Sequence, residues 1–249
     1  MTGTPRAVLD QPGASRAVLD QPGASRAVLD QNGPLRAVLW DMDGTLVDSG
    51  LLHHEAWRDL LADLGRPLTY EEFAATFGLR NDAILRRLVD ATMSDAEIIR
   101  IGDEKEARYR TLVQARGVAA LPGALDWLAR LRDGGWRQAI ASSGPRANAA
   151  AIIAALGLDG AFAAVVGAED VVEGKPHPEV FLTAAARLDV PPPRCIVLED
   201  APAGLEAGRR AGMPTIGVLS THAALQADVV VRSLAELDAR TFDRLLGGA

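Results

Sequence analysis

Two patterns of apolar residues divide the chain. From about residue 117 onward, short apolar runs of strand length alternate with amphipathic runs of helix length. The predicted strands are Arg36–Trp40, Arg137–Ala141, Ala163–Gly167, Cys195–Leu198 and Thr215–Leu219, with Val229–Val231 as a short sixth strand. The predicted helices between them are Ala124–Arg132, Arg146–Leu156, Pro178–Leu188 and Ala201–Ala211. Such alternation predicts an α/β fold with a parallel sheet covered by helices on both faces.

A second pattern fills residues 50–116, where apolar residues follow helical spacing and strands are hard to find. Leu51–Leu64 is the first predicted helix, and it ends at Gly65. Thr69–Glu72 and Ser94–Glu97 have the sequence of capping boxes, which begin helices. We therefore predict a helical segment inserted directly after the first strand, with a hinge at Asp48 and Ser49.

The first 35 residues are an internal repeat with a period of ten. Each copy begins with Arg-Ala-Val-Leu, the tetrapeptide that also opens the first predicted strand of the sheet. The copies are Arg6–Ser15, Arg16–Ser25 and Arg26–Leu35. They place Gln11, Gln21 and Gln31 two positions after the tetrapeptide, where the fourth tetrapeptide has Asp41. A ten-residue unit is too short for the usual solenoid repeats and has the length of one short strand plus a turn.

Composition and charge narrow the class of protein. The 249 residues are 48% hydrophobic and 24% charged, as in ordinary globular proteins. A net charge of -7 argues against nucleic acid or an anionic membrane as the main partner. Apolar runs stay below the ~18 residues of a membrane span, and Cys195 is the only cysteine. We therefore expect a cytoplasmic protein.

Lysine is rare in this chain. Of 26 basic residues only Lys105 and Lys175 are lysines. An ammonium group is a compact point charge that the planar guanidinium of arginine cannot replace in a tight site. Both positions are therefore candidates for a functional site, although random residue usage could also leave two lysines.

Polar residues follow four of the predicted strands at their carboxyl ends, where ligands bind in parallel sheets. In chain order these residues are Asp41 and Asp43, then Ser142 and Ser143, then Lys175, and finally Glu199 with Asp200. Taken singly, the acids could be solvated strand ends and the serines a helix cap. Taken together they suit a phosphoryl group bound with Mg²⁺, a cation that prefers oxygen ligands.

This set of motifs closely resembles the haloacid dehalogenase superfamily. The matching residues are Asp41-Met-Asp-Gly-Thr45, Ser142, Lys175 and Glu199-Asp200. The resemblance implies a Rossmann-like core of residues 36–49 and 117–249 with strand order 3-2-1-4-5, a helical cap of residues 50–116, and a repeat segment of residues 1–35 outside both. It also implies phosphatase chemistry rather than dehalogenation, because Asp43, the second acid of the first motif, is present.

The resemblance also implies roles for individual residues. Asp41 would be the nucleophile and Asp43 the general acid and base, while Ser142 and Lys175 would bind the transferring phosphoryl group. Mg²⁺ would be held by Asp41, Asp43 and Asp200, with Glu199 acting through a metal-bound water. Gly44, Thr45 and Ser143 complete the expected phosphate-binding residues.

Three residues of the helical cap are candidates for substrate binding. His53 and Trp57 lie four residues apart on one helix face, a spacing similar to that of β-phosphoglucomutase. Arg80 lies where the superfamily often places an arginine for the substrate phosphate, and Lys105 aligns with a lysine of the mutase cap. A surface position is the alternative for each. We expect Lys105 to be an exposed cap residue that contacts the substrate, so its replacement by arginine would damage the kinetics and leave the melting temperature almost unchanged.

These observations leave three hypotheses. The first is a Mg²⁺-dependent phosphatase of a small phosphorylated metabolite, in particular a sugar phosphate. The second is a β-phosphoglucomutase, which returns the phosphoryl group to another hydroxyl of the sugar. The third, from another class, is a module that self-assembles through its repeats. A repeat copy could also occupy the slot of the first strand at little packing cost, within one chain or as a strand-swapped homodimer.

Overall fold

The computed structural model describes residues 35–247. The ten-residue repeats lie outside the described residues, and so do the expectations for Gln11, Gln21, Gln31 and strand exchange. The strands are β1 (Ala37–Trp40), β2 (Val47–Asp48), β3 (Ala119–Ala120), β4 (Arg137–Ala141), β5 (Ala164–Val166), β6 (Cys195–Glu199), β7 (Thr215–Val218) and β8 (Val229–Val231). The helices are α1 (Gly50–Asp63), α2 (Tyr70–Ala74), α3 (Asn81–Leu88), α4 (Asp95–Arg116), α5 (Ala124–Asp133), α6 (Arg146–Leu156), α7 (Glu179–Arg187), α8 (Pro202–Arg210) and α9 (Thr241–Leu245).

Six strands form one parallel sheet in the order β5-β4-β1-β6-β7-β8. Strands β2 and β3 lie outside this sheet. When only the six strands of the sheet are numbered along the chain, their order is 3-2-1-4-5-6, which confirms the predicted order 3-2-1-4-5 with the short sixth strand at the edge. Strand β1 lies mid-sheet, and its Leu39 is paired with Ala139 on one side and Val197 on the other. All four of its residues are fully buried, as expected for a strand covered on both faces.

An apolar cluster packs on each face of this sheet. One cluster contains Trp40, Trp127 and Phe242, and the other contains Leu39 and Phe181. Alternate residues of β1 thus serve opposite faces, because successive side chains of a strand point in opposite directions. This packing fixes the register of β1 and therefore the position of Asp41, the residue that follows it.

Helices α1–α4 form the helical insertion, residues 50–116, which has an apolar cluster of its own around Trp57 and Phe73. Both capping boxes are confirmed: the side-chain oxygens of Thr69 and Ser94 accept hydrogen bonds from the backbone N–H groups of Glu72 and Glu97. The boundaries that we assign to core and cap stay a prediction.

Strands β2 and β3 were not predicted. These two strands pair antiparallel, with Val47 opposite Ala120, so the chain enters and leaves the helical insertion through adjacent segments. Strands of two residues are too short to show any alternation, which explains the omission. In residues 35–247 no helix combines the length and apolar character needed to cross a membrane.

Candidate active site

Asp41 lies directly beyond β1, at the carboxyl end of the central strand. Its backbone N–H donates to the carbonyl of Leu198 on β6, which continues the strand pairing up to the carboxylate itself. The Nζ of Lys175 lies 2.5 Å from Asp41 Oδ1, 2.7 Å from Glu199 Oε1 and 3.1 Å from the carbonyl of Ala141. One buried ammonium group thus joins the ends of β1, β4 and β6.

The charges of this cluster do not balance. Burial raises the pKa of Asp41 well above its usual range, and the neighbouring Glu199 and Asp200 raise it further against the opposing effect of Lys175. Burial and then Glu199 raise the pKa of Asp200 to about 8. Burial alone would lower the pKa of Lys175, but Asp41 and Glu199 raise it. Three carboxylates therefore share a single ammonium group, and an additional positive charge would stabilise their ionised forms.

The donor atoms fit a hard divalent cation. One oxygen each of Asp41, Glu199 and Asp200 lies within 4.8 Å of the others, and all three residues are buried. Both oxygens of Glu199 already accept hydrogen bonds, one from Lys175 and the other from the backbone N–H groups of Asp200 and Ala201 at 2.8 Å. Asp41 and Asp200 are therefore the direct carboxylate ligands that this set offers to Mg²⁺.

The turn after Asp41 needs glycine at position 44. Gly44 has φ +90°, and a Cβ there would lie 2.2 Å from Oδ2 of Asp200. The hydroxyl of Thr45 donates to Oδ1 of Asp200 at 3.4 Å, and the hydroxyl of Thr221 donates to its Oδ2. This turn therefore packs against the Asp200 carboxylate and helps to orient it.

Ser142 and Ser143 follow β4 beside the same cluster. Ser142 Oγ accepts from the backbone N–H of Gly144 at 3.0 Å, which leaves its own O–H free to donate to a ligand. Ser143 Oγ is buried and has no hydrogen-bond partner among residues 35–247. Both serines line the cavity above the carboxylates.

The Asp43 carboxylate is oriented from the side of the helical insertion. Its Oδ1 accepts from the hydroxyls of Ser49 at 2.5 Å and Tyr109 at 3.2 Å, and it lies 3.1 Å from His53 Nε2. Burial alone would raise the pKa of Asp43, but His53, Ser49 and the charge of Lys105 bring it down to about 2. Asp43 is therefore a carboxylate in this geometry.

Lys105 is buried, contrary to the exposed position that we expected. Its Nζ lies 2.7 Å from His53 Nδ1 and 3.1 Å from Glu106 Oε1. Because an ammonium group can only donate, His53 Nδ1 is the acceptor of this contact, and Nε2 lies on the side of Asp43. The contacts of Lys105 with His53, and of His53 with Asp43, thus connect the interior of the helical insertion to the strand ends.

Arg80 does not line the cavity. Its guanidinium reaches the carbonyls of Val171 and Val172 at 3.4 and 3.3 Å and the carboxylate of Asp82 at 3.4 Å. Any substrate role for Arg80 stays a prediction, one that requires these contacts to break.

The cavity between the strand ends and the helical insertion encloses about 50 Å³. The carboxylates of Asp41 and Asp43 and the two serines form its floor, whereas Lys105, Glu106 and Asn81 lie on the side of the insertion. Its walls are apolar and include Trp57, Phe73, Phe77, Leu79 and Ile84. A space of this size holds water molecules rather than a sugar, so a larger ligand requires the helical insertion to move relative to the strand ends.

A comparison with families of known proteins decides the class of this protein. Residues 35–212 match a family of hydrolases described as haloacid dehalogenase-like hydrolase. The chain belongs to the haloacid dehalogenase-like hydrolase family. The match covers β1 through α8 and contains every carboxylate, serine and lysine at the strand ends described above.

Individual members of this family have related activities. The chain is 32% identical to validoxylamine A 7'-phosphate phosphatase of Streptomyces hygroscopicus subsp. limoneus, over 80% of this chain and 94% of that protein. It is 35% identical to hexitol phosphatase A of Escherichia coli, over 80% and 91%. The crystal structure of β-phosphoglucomutase from Clostridium difficile superposes with a TM-score of 0.76 at 27% identity, over 86% of this chain and 97% of that one. The chain is thus an enzyme of the phosphatase and phosphomutase class.

Several polar residues of this haloacid dehalogenase-like site were not predicted from the sequence. They are Ser49, Asn81, Glu106, Tyr109, Asn148 and Thr221. Tyr109 follows Lys105 by four residues, so helical spacing alone could have placed both on one face. Glu106 and Asn148 come from different halves of the fold, and no spacing rule connects them.

Proposed function

We propose that this protein is a Mg²⁺-dependent phosphatase that hydrolyses a small sugar or polyol phosphate through an aspartyl-phosphate on Asp41. The observation that carries the proposal is the contact of Lys175 with both Asp41 and Glu199 beneath the cavity, beside the acidic pair of Asp41 and Asp200. A phosphoryl group carries negative oxygens, and the positive charges of a lysine and a divalent cation beside the Asp41 carboxylate would stabilise them.

In the first step, Asp41 acts as the nucleophile. An oxygen of its carboxylate forms a bond to phosphorus while the bond between phosphorus and the ester oxygen breaks. Oδ2 of Asp41 accepts no hydrogen bond from any residue in the described part of the chain, whereas Oδ1 is held by Lys175. Oδ2 is therefore the oxygen available for attack, and the contact with Lys175 prevents the carboxylate from turning away.

The leaving oxygen needs a proton, and Asp43 is the group proposed to give it. Protonated Asp43 donates to the departing alkoxide and becomes a carboxylate. In the second step the same carboxylate removes a proton from water, whose oxygen attacks phosphorus and releases Asp41 and inorganic phosphate. The low pKa of Asp43 favours its ionised form, which is the form required for this second step.

The oxygens of the phosphoryl group need positive and donor groups around them. The ammonium charge of Lys175 lies at the strand ends and attracts these oxygens, and the free O–H of Ser142 can donate to them. The hydroxyl of Ser143, which has no partner among the described residues, lies next to Ser142. When bound, Mg²⁺ neutralises the charge of these oxygens and of the carboxylates that hold it. Removing one donor of this kind typically costs about 2.7–4 kcal/mol of barrier.

A screen of phosphorylated metabolites for released inorganic phosphate, with Mg²⁺ present, tests the proposal. We expect turnover of sugar or polyol phosphates and of p-nitrophenyl phosphate, loss of turnover in EDTA and its return with added Mg²⁺. Asp41→Asn should abolish turnover while Asp133→Asn, at an exposed acid far from the site, retains it. Substantial activity in folded Asp41→Asn, or no phosphate release from any compound, would overturn the proposal.

A mutase remains the second candidate, because a structure similar to this one over 86% of the chain is a β-phosphoglucomutase. The two activities differ in the acceptor of the phosphoryl group, which is water in a phosphatase and a sugar hydroxyl in a mutase. Incubation with β-glucose 1-phosphate and a bisphosphate activator distinguishes them. A mutase yields glucose 6-phosphate, whereas a phosphatase yields inorganic phosphate.

A further inference from the structure

A buried carboxylate lies at the end of the cavity formed by the helical insertion. Glu106, on α4, is 4% exposed. Its Oε1 accepts from Asn81 Nδ2 at 2.8 Å and from Lys105 Nζ at 3.1 Å, and its Oε2 accepts from Asn148 Nδ2 at 2.6 Å. Burial alone would raise the pKa of Glu106, but Lys105, His53 and the two amides lower it. Glu106 is therefore a fixed negative charge that faces whatever enters the cavity.

The two amides that hold Glu106 come from both sides of the cavity. Asn81 begins α3 of the helical insertion, whereas Asn148 lies on α6 of the parallel-sheet part. Arg110, on α4, donates to Asn148 Oδ1 at 3.0 Å, so Asn148 is fixed at both ends of its amide. This network joins the helical insertion to α6 and fixes Glu106 at the end of the cavity.

The charges that line the cavity leave no place for a second anion. Its lining in residues 35–247 contains one lysine, Lys105, and no arginine. Lys105 is already paired with Glu106, and the remaining acids are Asp41 and Asp43. A second phosphate would therefore meet carboxylates without a free cation, and such like-charge contacts are strongly unfavourable in a buried site.

The space beyond the cavity has the same balance of charge. Asn81, Glu106 and Ser143 also line a groove of about 380 Å³ between α3, α4 and the segments at residues 143–145 and 168–169. The acids of this groove are Asp82, Asp103, Glu106 and Glu169, whereas Arg80 is its only lysine or arginine among the described residues. Arg80 is paired with Asp82, and Glu169 is paired with Arg146, so among the described residues the groove offers no unpaired cation to a second phosphate.

Hydroxyl groups, in contrast, match this end of the cavity. Carboxylate oxygens accept hydrogen bonds from hydroxyls, and amides such as Asn81 can both donate to and accept from them. The apolar walls at Trp57 and Phe73 provide packing surface for the carbon skeleton of a sugar or polyol.

We propose that Glu106 is a specificity-determining residue, which selects substrates with an uncharged, hydroxyl-bearing body and a single phosphate and rejects bisphosphates. This inference rests on the proposed phosphatase function and narrows its substrate class. It also favours hydrolysis over a mutase cycle that depends on a sugar bisphosphate, because the far end of the cavity repels the second phosphate.

Competitive inhibition of p-nitrophenyl phosphate hydrolysis tests this selectivity without knowledge of the natural substrate. The two competitors are fructose 1-phosphate and fructose 1,6-bisphosphate, which differ by one phosphate. We expect the inhibition constant of the bisphosphate to be at least about 30-fold weaker than that of the monophosphate, because of its repulsion by Glu106. Equal or tighter inhibition by the bisphosphate would overturn the assignment, and so would the absence of inhibition by either sugar.

The variant Glu106→Gln keeps the size and the acceptor oxygen of this side chain and removes its charge. In this variant Lys105 becomes available to the second phosphate, so the preference for the monophosphate should fall at least about tenfold. Glu104→Gln, at an exposed glutamate two residues earlier on α4, should keep the wild-type preference. An unchanged preference in Glu106→Gln would contradict the role of Glu106.

The two proposals fail in different ways. If wild-type protein releases phosphate from no compound, p-nitrophenyl phosphate included, the phosphatase function itself is wrong. If it hydrolyses p-nitrophenyl phosphate, but bisphosphate competes as well as monophosphate, only the assignment of Glu106 fails. The wild-type measurement alone suffices for this distinction, even if Glu106→Gln does not fold.

Discussion

At the scale of single residues, Lys105 shows how burial changes the consequence of a conservative substitution. Lys105 is 2% exposed, and its ammonium group lies between His53 and Glu106, above the rings of Trp57 and Tyr109 at 5.3 and 5.4 Å. A guanidinium is larger and planar, so it cannot occupy this space without displacing at least one neighbour.

We therefore expect Lys105→Arg to lower both activity and stability. Overpacking a buried site typically costs about 1–3 kcal/mol, so thermal unfolding should show a lower melting temperature together with a reduced kcat/KM. Arg100→Lys, at a position on α4 whose side chain is 63% exposed, is the matched control and should change neither quantity. An unaltered melting temperature in Lys105→Arg would mean that the site is roomier than the structure shows.

The residues of the site differ in how far the sequence could predict them. Asp41, Lys175 and Asp200 were predicted because they end strands of a parallel sheet, and that topology brings strand ends together. Glu106 and Asn148 meet only because α4 packs against α6, a contact between segments that no periodicity links. Burial of Lys105 was missed for the same reason, since it depends on how α1 and α4 pack.

At the scale of elements, the turn after β1 is where backbone conformation and side-chain geometry depend on each other. Gly44 combines a positive φ with close approach to Asp200, whereas Gly65, which follows α1, has a similar φ of +75° and no neighbour within 4 Å of a Cβ. The two glycines therefore separate the effect of backbone strain from the effect of a clash.

Gly44→Ala should be inactive, because the added Cβ displaces the Asp200 carboxylate. Gly65→Ala carries only the conformational penalty, about 1–2 kcal/mol, and should retain wild-type activity at a lower melting temperature. Phosphate release and thermal unfolding of the two variants provide the comparison. Full activity in Gly44→Ala would mean that phosphate release does not depend on the observed position of the Asp200 carboxylate.

The elements themselves were largely predictable where they are long. The central strands and the helices with capping boxes follow from apolar periodicity and from the Ser or Thr at their first turn, and the structure confirms both boxes. The pairing of β2 with β3 was not predictable, because it joins residues 47 and 120 through two-residue strands whose conformation is set by tertiary contacts.

At the scale of the whole molecule, the position of β1 bears on the repeats that precede it. The slot in the sheet holds Ala37–Trp40, and the residue that follows Arg-Ala-Val-Leu in this copy is Trp40. The indole is fully buried, and its Nε1 donates to Gln138 Oε1 at 3.1 Å. The upstream copies have an aspartate at this place, at positions 10, 20 and 30.

Strand exchange stays a prediction, but the expected low packing cost is wrong. A repeat copy in the slot would replace the Trp40 indole by a carboxylate, which removes packing worth about 3–5 kcal/mol and buries a charge as well. We therefore expect a chain lacking residues 4–34 to match the full-length chain in specific activity and in elution from a sizing column. Higher activity of the shortened chain, or the loss of a dimer, would support strand exchange.

Trp40 also bears on which of the repeated tetrapeptides fits the central strand of the sheet. The chain contains four identical tetrapeptides, and the fifth residue, which is Trp40 in the fourth copy and aspartate in the others, distinguishes the copy that leads to Asp41. The fourth copy thus differs from the others in the volume and polarity of its fifth residue, which has no contact with substrate. Any further copy of the same repeat would carry the same aspartate, which does not fit the position that the Trp40 indole fills.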